Sequence, residues 1–123
     1  MIKIIPIDIY FVSIVVAIEP TIEEWRNFRK KNKRNITDDD EKIFLRDFES
    51  PDTCNGSTFF LSGGDYMIFV RHKYHGDIAH EIFHACNSIL VERGFTHDVT
   101  AEPWAYLIGY VTDAVYDLLE EKR

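Results

Sequence analysis

A chain of 123 residues has the length of one domain, and 46% hydrophobic with 14% aromatic residues is the composition of a folded protein with a single core. Fourteen Lys plus Arg against 21 Asp plus Glu leave a formal charge of −7, which argues against a general phosphate-binding surface and so against nucleic acid as a partner. Two cysteines, Cys54 and Cys86, are too few for a disulfide framework.

The first twenty residues, MIKIIPIDIYFVSIVVAIEP, are strongly apolar. Asp8 interrupts the run, no small-residue cleavage site follows, and the run is shorter than the ~20 residues a spanning helix needs. The expectation is therefore no export signal, no membrane association and a cytoplasmic protein. Ile5 to Val16, rich in β-branched residues and bounded by Pro6 and Pro20, reads as one central strand covered on both faces.

Thr21-x-x-Glu24 has the form of a capping box, and Ile22, Trp25 and Phe28 make one apolar stripe, so a first helix starts here. The basic run Arg26 to Arg34 is followed at once by the acidic run Asp38 to Glu41 and reads as a solvated helix end beside its neighbour. Thr37 opens a second, shorter helix whose acidic first turn suits the positive end of the helix dipole, and Ser50-Pro51-Asp52 stops it. Asn55-Gly56 and Gly63-Gly64 are turn signals around two β-rich runs, STFFLS and DYMIFVRH, that predict a hairpin.

From about His75 to Arg93 the period becomes helical, with Ala79, Ile82, Phe83, Cys86, Ile89 and Leu90 on the apolar side and Gly94 as the stop. After the linker FTHDV, Thr100 caps a last helix running to about Leu119, with Trp104, Leu107, Ile108, Val111, Val115 and Leu118 as its apolar face. Strand, two helices, hairpin and two helices predict a single α+β domain over 1–123, with helices against one small sheet.

The chemistry concentrates in His80-Glu81-Ile82-Phe83-His84. At about 100° per residue the two histidines point roughly 140° from the apolar centre of their helix, and a spacing of four lets both ring nitrogens face one ion. Glu81, rotated a further step, suits a base acting on water rather than a ligand. Two residues compete as third ligand. Glu102, in the first turn of the last helix and away from its apolar face, is preferred because a helix fixes a ligand better than a linker does. His97, in the linker, is the alternative. Asp77, His72, His75 and Asp113 are candidates for holding the imidazoles from behind.

This pattern, with a glutamate on the next helix 18 residues after His84, resembles the zincin metallopeptidases, and among them the gluzincin branch. The metzincin pattern is not met, since Asn87 and Leu90 stand where its glycine and third histidine belong. The resemblance covers about residues 57–119 and implies a small sheet with an edge hairpin packed on the active-site helix, followed by a glutamate helix. It further implies a Zn²⁺ ion held by His80, His84 and Glu102, Glu81 as general base and a peptide or protein substrate. Tyr106, one turn after Glu102, is the candidate second donor to a developing oxyanion, with Tyr110 nearby. The rival expectation is a zinc-stabilised binding or structural protein on the same fold, because fold does not establish function.

Overall fold

The computed structural model describes residues 1–96 and 102–120. Two strands, β1 (Ile2–Ile7) and β2 (Val12–Ile18), are joined by a short 3-10 turn at Asp8–Tyr10. Then come α1 (Ile22–Lys31), α2 (Asp38–Phe48), β3 (Gly56–Phe60), β4 (Tyr66–Val70), α3 (His75–Glu92) and α4 (Glu102–Glu120). The α+β class and the order from α1 onward agree with the sequence reading. Thr100, the expected cap of the last helix, lies outside the described residues.

The first element differs: the single strand expected over Ile5–Val16 is an antiparallel hairpin in which Ile5 pairs with Ile14 and Ile7 with Val12. The chain reverses through Phe11, which adopts left-handed backbone with φ 56°. That conformation is uncommon outside Gly, Asn and Asp, so an apolar run with a phenylalanine at its corner carries no turn signal.

The sheet order is β1-β2-β4-β3, with β2 parallel to β4 and both outer pairs antiparallel. Alternation along the central strands divides the core in two. Ile14, Val16 and Ile18 of β2, with Tyr66, Ile68 and Val70 of β4, meet α3 and α4. Val15, Ala17, Met67 and Phe69 face the other way, against Trp25 of α1 and Phe44 of α2. Trp25 stacks on Phe44 with centroids 4.1 Å apart, and Phe69 meets Phe44 edge-on at 5.6 Å. Removing a fully buried Phe such as Phe44 costs about 3–5 kcal/mol.

Both expected caps form. The Thr21 hydroxyl accepts from the Glu24 N–H while Glu24 accepts from the Thr21 N–H, and Thr37 and Asp40 repeat the exchange at α2. At the other end of α2, Arg71 donates to the carbonyls of Asp47, Phe48 and Cys54 at 2.7, 3.0 and 2.9 Å. Asp47 and Phe48 are the last residues of α2 and Cys54 lies beyond it, so one guanidinium caps the helix and pins the chain just before β3. Cys86 is buried on α3, where burial pushes its thiol up to about 12, as befits a core residue. No described helix is long and apolar enough to cross a membrane.

Candidate metal and acid–base site

α3 lies against β4 and the edge strand β3, and its buried residues are Ile78, Glu81, Ile82, Ala85, Cys86, Ile89 and Leu90. The apolar stripe is thus rotated from the one expected: Ala79 and Phe83 are exposed, while Ile78, Ala85 and Glu81 are covered. The rotation moves Glu81 beneath β3 and leaves His80 and His84 outside, at the mouth of a hollow of about 370 Å³. Gly56 and Thr58 of β3, His80, Glu81, His84 and Ser88 line it.

The two imidazoles converge, with Nε2 of His80 and Nε2 of His84 3.1 Å apart and the rings edge to face. Two nitrogens bound at about 2.0–2.1 Å to one tetrahedral ion would stand roughly 3.3 Å apart, so the pair is already near the separation a shared ion demands. Glu81, 6% exposed, accepts a hydrogen bond at Oε1 from the Thr58 hydroxyl at 2.9 Å, and the same hydroxyl lies 3.1 Å from the Glu81 carbonyl. Its other oxygen, Oε2, sits 3.9 Å from His80 Nε2 and makes no hydrogen bond among the described residues.

Gly56 is needed for that placement. A Cβ there would stand 2.9 Å from the Phe69 carbonyl and 3.1 Å from Glu81 Oε2, so any side chain would push on the sheet and on the carboxylate together. Gly56 and Thr58 were not among the residues the sequence singled out. Their signal was the period of two in β3, which puts them on the face toward α3.

The remaining expected site residues lie elsewhere. Glu102 and Tyr106 line a second hollow with Ile7, Tyr10 and Leu107, none of which lines the histidine hollow, and Tyr106 is 75% exposed. Tyr110, in the same hollow, donates to the Pro6 carbonyl at 3.0 Å. His75 packs edge-on against Tyr116, and His72 lies beside Tyr74 with the rings tilted, while Asp77 occupies the first turn of α3 and Asp113 is exposed on α4. His97 lies outside the described residues. Among the described residues no group of three or more His, Cys, Asp or Glu side chains forms a ready-made metal site. The structure therefore brings together His80, Glu81, His84 and Thr58, and sets Glu102 and Tyr106 apart from them. No family model, no curated protein and no solved structure matches the chain.

Proposed function

We propose that the chain is a zinc-dependent peptide hydrolase of the zincin type, with His80 and His84 as metal ligands and Glu81 as general base. The observation that carries this reading is the triple placement of two Nε2 atoms 3.1 Å apart beside a buried carboxylate whose one free oxygen opens onto the same hollow. Zinc, when bound, supplies Lewis-acid polarisation of a carbonyl and lowers the pKa of water toward 7. The chain's own residues do the rest. Thr58 holds Oε1, so Oε2 is the oxygen that takes a proton from water and passes it to the leaving nitrogen.

The two edges of the sheet support a peptide as substrate. Arg71 N–H donates to the Asn55 carbonyl and Leu61 N–H to the Asp65 carbonyl, so the odd-numbered residues of β3 pair inward with β4. The backbone groups of Gly56, Thr58 and Phe60 then face the open edge, and two of these three line the histidine hollow. At the opposite edge the pairing of Met1 with Ile18 turns Ile2, Ile4 and Pro6 outward. There Pro6 has no N–H and its carbonyl is taken by Tyr110, which blunts the edge. An extended peptide added to β3 would pass its carbonyls over the site.

Glu102 remains the first candidate for the third ligand, which requires it to leave the other hollow for the histidine pair, and His97 is the second. The position of Glu102 in the other hollow favours one rival specifically, a binding or structural protein on this fold without turnover, because two histidines alone do not make the three-ligand site that catalytic zinc uses. One experiment tests all of this: zinc content per chain and cleavage of a mixed peptide library, measured for wild type, Glu102→Ala and His97→Ala. The expected result is about one zinc per wild-type chain, cleavage, and loss of both in Glu102→Ala with His97→Ala nearly intact. Zinc lost only in His97→Ala would move the third ligand to the linker. Zinc without cleavage would establish the binding protein, and no zinc in any condition would end the metal reading.

A further inference from the structure

The hollow beside β1 and α4 has about 750 Å³, within the range of small-molecule sites, and is separate from the histidine pair. Its floor is apolar, from Ile7 and Leu107. Around it stand three tyrosines, Tyr10, Tyr106 and Tyr110, and two carboxylates, Asp8 and Glu102, with no basic side chain among the described lining residues. We propose that this hollow binds an organic cation, a protonated or quaternary amine carried on an apolar body.

Three features of the lining select that class. Aromatic faces attract a cation through the ring quadrupole and do nothing comparable for an anion. Tyr10 already has the Arg93 guanidinium 5.7 Å from its ring centroid, which leaves Tyr106 and Tyr110 to supply faces to a ligand. Tyr110 is held by its hydrogen bond to Pro6, so its ring is preorganised, whereas Tyr106 is exposed and adaptable. Of the two carboxylates, Glu102 lies in the first turn of α4 and offsets the positive end of that helix. Asp8, exposed at the rim, contributes the charge that a cation would answer. A neutral ligand would find only the apolar floor, and an anion would face the Asp8 carboxylate.

The test is calorimetric titration of the full chain with three probes on one body: 3-phenylpropyltrimethylammonium, 3-phenylpropanol and 3-phenylpropanesulfonate. The expected result is saturable binding of the cation, roughly tenfold tighter than the alcohol, with no measurable binding of the sulfonate. Asp8→Asn, a change at an exposed side chain, should weaken the cation several-fold and leave the alcohol unchanged, and Tyr110→Leu should weaken the cation more than the alcohol. Methyl NMR shifts of Ile7 and Leu107 on titration place the ligand in this hollow. Equal affinity for all three probes, no saturable binding of the cation, or an unchanged cation affinity in Asp8→Asn and Tyr110→Leu together would overturn the proposal. Zinc content and peptide cleavage do not enter the readout, and Asp8 has no role in the metal site, so failure of one reading is distinguishable from failure of the other.

Discussion

Asp40 and Glu81 are both buried, at 1% and 6% exposure, yet the protein treats them in opposite ways. Asp40 is saturated. Its Oδ2 accepts from the Thr37 N–H at 2.9 Å, and its Oδ1 accepts from the Ser62 N–H and the Ser62 hydroxyl, each at 3.0 Å. Burial pulls its pKa up, but the N–H groups of Thr37 and Ser62 and the two hydroxyls outweigh it and hold the carboxyl below its usual value. Glu81 has one oxygen tied to Thr58 and the other turned to a hollow with two imidazoles. A buried carboxylate with both its oxygens engaged ties α2 to the β3–β4 turn. One left half-satisfied costs stability without structural return, which is how a group kept for chemistry looks.

The sharpest way to break this comparison is Glu81→Gln. The amide oxygen can still accept from Thr58 but cannot take a proton from water, so peptide cleavage should fall by about 10²–10⁴-fold or more. Zinc content should hold, and thermal stability should hold or rise, because an incompletely paired buried charge has been removed. Cleavage rate, zinc content and melting temperature measured on the same preparation decide it. A large drop in melting temperature would make Glu81 structural, like Asp40.

For Asp40 the prediction is the reverse, with stability lost and function kept. In Asp40→Asn an NH₂ group must face the N–H of Thr37 or of Ser62, so one charge-assisted hydrogen bond becomes a donor–donor contact. The expected cost is about 1.5–3 kcal/mol of unfolding free energy, read from urea denaturation. The pH dependence follows from the lowered pKa of the folded state. Deprotonated Asp40 contributes its full stabilisation above the unfolded pKa of about 4, and that contribution drains away as pH falls through the lower folded value. Between neutral pH and acid, wild type should therefore lose more stability than Asp40→Asn. Parallel curves for the two would show that Asp40 is not the coupled group.

The asymmetry between the carboxylates also marks where reading the sequence stopped. Asp40 was legible as part of an acidic first turn, because a capping box is local and Thr37 lies three residues away. His80 and His84 were legible for the same reason, being one turn apart on one helix. The burial of Glu81 was not, since it depends on β3 reaching across from residues 56 and 58, more than twenty positions earlier. Spacing along the chain placed Glu102 on the next helix correctly but could not say which side of α4 faces α3, and the structure turns it toward β1. The β1–β2 reversal escaped because Phe11 takes a backbone conformation its residue type rarely adopts.

The smallest expected effect is the most specific one. Thr58→Val keeps the shape and β-propensity of the strand but removes the hydroxyl that fixes Oε1 of Glu81. If Thr58 positions the base, the carboxylate gains rotational freedom and presents Oε2 to water for a smaller share of the time. Cleavage should then lose roughly 10-fold, the low end of what removing such a supporting contact costs, and the loss should fall on kcat while KM and zinc content stay put. Thr58→Ser restores a hydroxyl on the same Cβ and should recover most of the rate. A loss carried by KM would instead mean that the change disturbed the open edge of β3, where Thr58 also presents its backbone. Failure of serine to rescue would mean that the methyl group, not the hydroxyl, was what the site needed.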